Sequence, residues 1–112
     1  MTKWITIVET KSYLERAQKL LKEEEREKAI TTIAKNPFCG DRMEGTNGIR
    51  KVRLAVGGRG KSAGVRIIYY YYSNSFPVFL LTLFAKNEKA NLTKAERNQL
   101  AAMVKKLIAS YE

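Results

Sequence analysis

The stretch Lys51–Tyr72, KVRLAVGGRGKSAGVRIIYYYY, predicts two strands separated by a glycine-rich connector. From Arg50 to Val56 apolar and polar side chains alternate, which is typical of a strand with one buried face. On that strand Lys51 and Arg53 share the polar face. The segment Val65–Tyr72 is almost continuously apolar or aromatic, which predicts a central strand covered on both faces. The stretch therefore predicts two adjacent strands of an antiparallel sheet.

The connector contains the letters GGRGKS, which look like a phosphate-binding Walker loop. That loop requires a glycine five residues before the glycine of its GK pair, and this chain has Ala55 there. It also requires a following helix, because the helix N-terminus supplies backbone donors for the phosphates. Here a strand follows instead. We interpret the glycines as a connector with Arg59 and Lys61 at its tip, acting either as RNA contacts or as solvated charges that aid solubility.

The residues before this stretch predict one strand followed by two helices. Trp4–Val8 is rich in β-branched and aromatic residues and predicts a short strand. Ser12 and Glu15 have the spacing of a capping box, and apolar residues follow them at helical spacing. A second helical run starts with an acidic cluster and is stopped by Pro37. Phe38–Gly48 has no stable periodicity and predicts a loop.

The residues after the stretch predict one further strand and a C-terminal helix. Val78–Ala85 is an apolar run of strand length. Thr93 and Glu96 repeat the capping-box spacing, and an apolar stripe follows at helical spacing as far as Tyr111. The predicted order is therefore β-α-α-β-β-β-α. It describes an α+β fold, with helices packed on a mainly antiparallel sheet of about four strands, in a single domain over residues 1–112.

The charge of the chain is concentrated in its middle. The 112 residues carry a net charge of +10, and an imbalance of this size favours a polyanionic partner. Between Gly45 and Asn87 there is no acidic residue. Adjacent antiparallel strands bring side chains together, so we expect the cations of this segment to form a concave basic surface that binds backbone phosphates. These cations are Arg50, Lys51, Arg53, Arg59, Lys61, Arg66 and Lys86.

Composition excludes several classes of catalytic and metal site. The chain has no histidine, which excludes a His-based triad, a paired-histidine ribonuclease and a His-ligated zinc site. A single cysteine, Cys39, cannot form a thiolate zinc cluster or an internal disulfide. We therefore expect no metal and no cofactor, so any catalysis must use Arg, Lys, Tyr or a carboxylate.

The chain also lacks the signals of a membrane or secreted protein. No apolar run approaches the roughly 20 residues that a membrane-spanning helix needs. The N-terminus MTKWITIVET has no apolar core of a secretory signal. We therefore expect a cytoplasmic protein without membrane contact.

The four consecutive tyrosines, Tyr69–Tyr72, must alternate between the two faces of their strand. Large aromatic residues on a sheet most often pack in the core. Tyr70 shares the side of Arg66 and is the candidate to stack on a nucleobase, provided that its ring is exposed.

Two segments, GTNGIRKVRLAVGGRGKSAGVRIIYYYY and FLLTLFAKNEKANLTKAERNQL, cover most of Gly45–Leu100 and resemble the RelE/HigB toxins of bacterial type II toxin–antitoxin systems. The pairing of GKSAGVRIIYYY with LLTLFAKNEK is specific to the HigB-like branch. The resemblance implies a RelE-like fold and a small ribosome-dependent endoribonuclease that cleaves messenger RNA in the decoding site. It also implies a neutralising helix-turn-helix antitoxin. Operator DNA would then be contacted by the antitoxin, and the toxin would be connected to the DNA only indirectly.

The resemblance further implies roles for individual residues. Arg66 matches the arginine that contacts the scissile phosphate, which the adjacent ribose 2′-hydroxyl attacks. Lys51 and Arg53 match a basic pair on the preceding strand, and Lys86 matches the basic position at the end of the last strand. The remaining candidate contacts to messenger or ribosomal RNA are Arg50, Arg59, Lys61 and Tyr70.

The general acid and base stay open at this point. The chain departs from the family pattern because it lacks an evident catalytic tyrosine or histidine near its C-terminus. Tyr111 continues the apolar stripe of the last helix, so we expect it to be packed. Lys51 or Lys86 is a candidate to exchange protons with the 2′-hydroxyl or the leaving 5′-oxygen, and Glu88 is a further candidate.

Two other functions explain the same cations. A non-catalytic basic module would bind nucleic acid in a salt-sensitive manner and cleave nothing. An interaction protein would dock an acidic protein partner on the same surface and have negligible affinity for RNA. Cleavage of messenger RNA on ribosomes separates these alternatives from the toxin hypothesis.

Overall fold

The computed structural model describes residues 5–56, 64–89 and 91–111. These residues form five strands and three helices. Within these ranges no helix combines the length and the apolar composition needed to cross a bilayer. The helices are α1 (Lys11–Leu20), α2 (Glu23–Lys35) and α3 (Lys94–Tyr111). The strands are β1 (Ile7–Glu9), β2 (Asp41–Arg42), β3 (Ile49–Leu54), β4 (Val65–Tyr70) and β5 (Val78–Ala85).

The five strands form one sheet in the order β1-β5-β4-β3-β2. β1 pairs in parallel with β5, whereas the other neighbours are antiparallel. The predicted α+β class and the order of the main elements are confirmed. β2 is an additional two-residue strand inside Phe38–Gly48, which the sequence predicted as a loop. β4 and β5 are interior strands, as their continuous apolar sequences predict.

One face of the sheet is covered by α1 and α2, and we call it the α1–α2 face. Tyr13 and Ala17 from α1 and Ile33 from α2 pack there against β4 residues that include Ile67 and Tyr69. All five side chains are almost completely buried. Burying large side chains in this way supplies the main driving force for docking short helices that would be marginal alone.

The opposite face is covered by α3, and we call it the α3 face. Val104 of α3 packs there against a core that contains Ile68 of β4 and Phe79 of β5. The predicted capping box starts this helix: the Thr93 N–H donates to Glu96 Oε1 at 2.8 Å, and the Glu96 N–H donates to Thr93 Oγ1 at 3.1 Å. The cap thereby fixes which residues form the first turn of α3.

The N-cap of α1 is Thr10 rather than the predicted Ser12. The Thr10 hydroxyl accepts a hydrogen bond from the Tyr13 N–H at 3.3 Å. The same hydroxyl donates to the Leu80 carbonyl at 2.8 Å, and the Thr10 N–H donates to that carbonyl at 3.2 Å. Thr10 is therefore selected by a tertiary contact with β5, which the spacing of polar residues in the sequence cannot show.

A buried phenol anchors the segment between α2 and β2. The Tyr69 hydroxyl donates to the Pro37 carbonyl at 2.7 Å and accepts from the Gly40 N–H at 2.8 Å. Burial is the main cause that raises the pKa of Tyr69. At Gly40 a Cβ atom would lie 2.7 Å from the Lys51 carbonyl oxygen and 2.8 Å from the Tyr69 ring, so only glycine fits. These contacts hold the segment against β3 and β4.

Tyr69→Phe should destabilise the fold by about 1–3 kcal/mol, because the Gly40 N–H and the Pro37 carbonyl would lose a buried partner. Urea denaturation of the purified protein measures the change. The matched control is Tyr71→Phe, whose hydroxyl donates to the exposed Asn74 Oδ1 at 2.6 Å. We expect the control to change the free energy of unfolding by less than about 0.5 kcal/mol. An equal loss in both variants would contradict the anchoring role.

Candidate functional site

Three of the predicted cations lie together on the α3 face. The strand register pairs Lys51 with Ile68 and Arg53 with Arg66. Ile68 belongs to the core packed against α3. Residues that oppose each other directly, and residues two apart on one strand, share a face of the sheet. The alternation predicted for β3 therefore brings Lys51, Arg53 and Arg66 to one surface.

Arg53 and Arg66 form a pair of like charges directly opposite each other on neighbouring strands. Such a pair destabilises a sheet unless something neutralises it. Arg66 Nη1 is buried and has no hydrogen-bond partner among the described residues. Burial, and secondly the charge of Arg53, lower the pKa of Arg66.

The charge of this pair is not compensated within the described part of the chain. The ion pairs found there join other residues: Arg16 with Glu88, Arg26 with Glu9, and Lys89 with Glu96. The exposed guanidinium group of Arg53 is available to donate to a phosphate or carboxylate oxygen, and Arg66 lies directly opposite it. The arrangement of Arg53 and Arg66 is therefore chemically suited to an anion.

Lys86 lies near the same end of the sheet. It follows β5, and its backbone N–H donates to the Gly64 carbonyl at 3.1 Å, just before β4 begins. Phe84, two residues earlier, opposes Arg66 in the register. The backbone at Lys86 is therefore close along the strands to the Arg53–Arg66 pair.

A cleft of about 380 Å³ opens on the α3 face beside these cations. The buried side chains of Ile68 and Phe84 line it from the sheet. Lys51 also lines it, and its Nζ lies 3.5 Å from Asn91 Oδ1 in the loop before α3. The cleft therefore connects the basic strand β3 with the start of α3. Its other lining residues are Arg42, Met43, Glu44, Leu92 and Arg97.

Two cations of the cleft, Arg42 and Arg97, were not identified from the sequence. Arg97 lies in the first turn of α3, where its N–H donates to the Thr93 carbonyl at 3.0 Å. The capping box was the available signal for Arg97, because it fixes the first turn of the helix. Arg42 lies in β2, and a two-residue strand is too short to show any periodicity.

Another predicted RNA contact, Arg50, does not belong to this group. Arg50 lies on the α1–α2 face, where its Nη1 donates to the Gly40 carbonyl at 2.7 Å and its guanidinium carbon lies 5.2 Å from the centre of the Phe38 ring. These contacts hold the Phe38–Gly40 segment in place, and contact of Arg50 with RNA stays a prediction. Arg59 and Lys61 lie outside the described residues, so their role also stays a prediction.

Tyr70 is on the α3 face, but its side chain is only 7% exposed. Its ring is stacked with that of Tyr72, with 6.3 Å between the ring centres. Burial, and secondly Tyr72, raise the pKa of Tyr70. The exposure that base stacking requires is therefore absent at Tyr70 in this conformation. Tyr72, which is 51% exposed, is the accessible ring of the pair.

Tyr111 ends α3 and was expected to be packed. Its ring centre lies 5.3 Å from that of Phe79 and 6.2 Å from that of Phe76. The side chain nevertheless remains 51% exposed. Tyr111 therefore covers one edge of the α3-face core at the far end of the helix from the cleft.

Residues 5–112 match the sequence family described as "RelE toxin of RelE / RelB toxin-antitoxin system". The chain belongs to the RelE toxin family. This finding confirms the resemblance drawn from Gly45–Leu100 and extends it to almost the whole chain. Assignment of this RelE-family chain to the HigB-like branch stays a prediction.

A solved structure shares the fold of this RelE-family chain. It is that of the Escherichia coli toxin RelE in the free state, determined as a mutant in which two arginines are replaced by alanine. The TM-score is 0.58 at 17% sequence identity, and the match covers 79% of this chain and 90% of the E. coli chain. At this identity the likeness establishes the RelE fold, and the roles of individual residues must be argued from their geometry.

Glu88, a further candidate for proton transfer, is engaged in structural contacts. Its Oε1 accepts from the Ala85 N–H at 2.9 Å and from Arg16 Nη2 at 2.6 Å. Arg16 Nε also donates to the Leu83 carbonyl at 3.1 Å. The Ala85 N–H, and secondly Arg16, hold the pKa of Glu88 below its ordinary value. Glu88 is therefore an ionised structural carboxylate, poorly suited to act as a general acid at neutral pH.

Glu88→Gln should destabilise the protein at pH 7 by about 1 kcal/mol, because a charged acceptor is replaced by a neutral one in a partly exposed site. A carboxylate whose folded-state pKa is lowered stabilises the fold above its unfolded pKa, and this contribution is lost as the pH falls through the folded value. The difference between wild type and variant should therefore shrink below about pH 4. Urea denaturation over a pH series measures it.

The control for this series is Glu27→Gln, which makes the same charge change at an exposed position of α2. It should alter the free energy of unfolding by less than about 0.5 kcal/mol at every pH. A Glu88→Gln effect that is constant from pH 7 to about pH 3 would contradict the role of the ionised carboxylate.

Proposed function

We propose that this RelE-family toxin is a ribosome-dependent endoribonuclease that cleaves messenger RNA in the decoding site and thereby stops translation. The observation that carries the proposal is the Arg53–Arg66 pair, two directly opposed cations that form no ion pair with a carboxylate among the described residues. A permanent pair of cations without a counter-charge is suited to a phosphodiester. Family membership supports the assignment to a toxin of a toxin–antitoxin system.

In the proposed reaction the ribose 2′-oxygen attacks the adjacent phosphorus and the bond to the 5′-oxygen of the next nucleotide breaks. The 2′-hydroxyl loses its proton, the leaving 5′-oxygen gains one, and the products are a 2′,3′-cyclic phosphate and a 5′-hydroxyl. Negative charge grows on the phosphoryl oxygens as the bond forms. Arg66 and Arg53 stabilise that charge, because their donors are fixed on neighbouring strands before the reaction begins.

Proton transfer in this proposal is assigned to the lysines around the arginine pair. Lys51 lies on the same face, one row along β3 from Arg53, and Lys86 follows β5 beside the start of β4. Either ammonium group can protonate the leaving 5′-oxygen, and its neutral form can accept the 2′-hydroxyl proton. The reaction needs no metal and no cofactor, because the arginines supply the charge that a metal ion would otherwise supply.

The partners proposed for the toxin are messenger RNA, the ribosome and a cognate antitoxin. The ribosome would present the message in an extended form to the α3 face, and Arg59 and Lys61 are proposed contacts to ribosomal RNA. The antitoxin would block or distort this face. Operator DNA would be contacted by the antitoxin rather than by the toxin itself.

Arg66→Met should lower the rate of messenger cleavage on ribosomes by about 100- to 1,000-fold, as expected for loss of one donor to a developing oxyanion. Methionine keeps the apolar stem and removes only the guanidinium group. Because the substitution also removes a like-charge pair, the variant should be at least as stable as the wild type. Cleavage is measured by primer extension on a defined message in a purified translation system, and stability by urea denaturation.

The control is Lys19→Ala, which removes one positive charge from an exposed position of α1, on the other face of the sheet. Its cleavage rate should stay within about twofold of the wild type, since screening weakens distant surface charges. Wild-type cleavage by the folded Arg66→Met variant would refute the role of Arg66. If the wild type binds RNA in a salt-dependent manner but cleaves no message with or without ribosomes, the protein is the non-catalytic binding module instead.

A further inference from the structure

A tight turn at the end of β5 carries Lys86. The Glu88 N–H donates to the Ala85 carbonyl at 3.0 Å, and this hydrogen bond closes the turn. The Glu88 carboxylate reaches back within the same turn and accepts from the Ala85 N–H at 2.9 Å. Glu88 therefore binds both backbone polar groups of Ala85, and Lys86 is the second residue of the turn that these contacts close.

Different partners support the two sides of this strand end. On the side of β4, the Lys86 N–H donates to the Gly64 carbonyl at 3.1 Å. On the other side, no strand of the described chain pairs with this end of β5. Arg16 of α1 takes that place, because its Nε donates to the Leu83 carbonyl at 3.1 Å and its Nη2 donates to Glu88 Oε1 at 2.6 Å. The Arg16–Glu88 pair thus supports the Lys86 turn on its open side.

The exposure of the Arg16–Glu88 pair argues against a role in global stability alone. The side chain of Arg16 is 35% exposed and that of Glu88 is 40% exposed. Ion pairs that water reaches to this extent contribute little to the stability of a protein. The hydrogen bonds of the pair nevertheless fix the backbone at Leu83 and Ala85, three residues and one residue before Lys86. Their main effect is therefore on the local geometry of the turn.

Local geometry matters for Lys86 because proton transfer depends strongly on distance. A proton donor must come within about 2.6–3.2 Å of the oxygen that it serves. A displacement of about 1 Å in such a group can lower a rate by about 100-fold. Turns and strand ends are also the segments of a fold that open most readily. A lysine in this position therefore needs a support that keeps its turn closed.

We propose that Arg16 and Glu88 are positioning residues, which act on messenger cleavage by holding the Lys86 turn in place relative to Arg66. The inference rests on the proposed function, from which it takes the role of Lys86 in proton transfer. The register supports it, since Phe84, two residues before Lys86, lies directly opposite Arg66. A displacement of the end of β5 would therefore change the distance between Lys86 and the arginine pair.

Two substitutions remove the support without touching Lys86. Glu88→Ala removes a negative charge from the surroundings of a site for a polyanion, and electrostatic attraction alone would then favour RNA binding and faster cleavage. The positioning role predicts the opposite, a rate about tenfold lower. Arg16→Met, which keeps the apolar stem, should lower the rate by a similar factor. The rate is measured by primer extension on ribosome-bound message under single-turnover conditions.

The matched controls are Glu9→Ala and Arg26→Met. They break the ion pair between β1 and α2, in which Arg26 donates to the two carboxylate oxygens of Glu9 at 2.8 and 2.9 Å. Glu9 is only 17% exposed, so these variants should lose at least as much stability as Glu88→Ala. Their cleavage rates should stay within about twofold of the wild type, because the protein remains folded and the Lys86 turn is intact.

A second measurement asks whether the effect passes through Lys86. Lys86→Met should lower the cleavage rate by about 100-fold or more, as expected for loss of a group that transfers protons. In this background Glu88→Ala and Arg16→Met should change the rate by less than about twofold, because the side chain that they position is gone. A full additional tenfold loss would show that they act by another route and would overturn the proposal. So would wild-type cleavage by Lys86→Met.

Amide hydrogen exchange, followed by NMR, tests the turn without any cleavage assay. In Glu88→Ala the Lys86 N–H should exchange about tenfold faster than in the wild type, because the turn opens more often. The reference is the Met43 N–H, which donates to the Ile49 carbonyl at 2.8 Å at the opposite edge of the sheet. Its exchange should change no more than the loss of global stability requires. Unchanged exchange at Lys86 would contradict the positioning role.

The two proposals fail in different ways. If the wild type cleaves no message on ribosomes, the proposed function is wrong and the positioning role falls with it. If the wild type cleaves message and both Glu88→Ala and Arg16→Met cleave at the wild-type rate, the positioning role alone is wrong.

Discussion

The opposition of Arg53 and Arg66 across β3 and β4 is the interaction that organises the α3 face. The strand register fixes both residues, and no carboxylate in the described part of the chain forms an ion pair with either. The fold tolerates this repulsion because β4 and β5 are buried on both faces by apolar side chains. Core packing thus holds the two cations in a geometry that their own charges disfavour.

This arrangement separates the stability of the protein from its chemistry. The guanidinium groups lie on paired strands, so in the proposed reaction they need no rearrangement to meet a phosphate, because folding has already brought them together. By contrast, Arg42, Glu44 and Asn91 lie on a short strand, a turn and a loop at the rim of the cleft. The proposed charge stabilisation therefore rests on the rigid part of the sheet, whereas the rim of the cleft consists of segments whose sequence can change without altering the core.

The sequence predicted those features that depend on local periodicity. Alternation in β3 placed Lys51 and Arg53 on one face, and continuous apolar runs identified β4 and β5 as interior strands. Features that depend on distant contacts were missed. Thr10 caps α1 because it also bonds to β5, and Arg97 reaches the cleft because α3 packs across the sheet. Tyr70 lies on the predicted face, but its burial depends on Tyr72 and α3, which strand periodicity does not describe.

The contacts of Arg16 and Glu88 also affect how the protein behaves in solution. β1 pairs with Val78–Leu80, and within the described ranges no strand lies beside the remainder of β5 on that side. Arg16 binds the Leu83 carbonyl and Glu88 binds the Ala85 N–H, so two charged side chains occupy hydrogen-bonding positions that another strand would use. An exposed apolar strand edge is a template for aggregation, and a charged cover blocks it. The same ion pair that fixes the end of β5 thus protects a highly apolar strand from pairing with other chains.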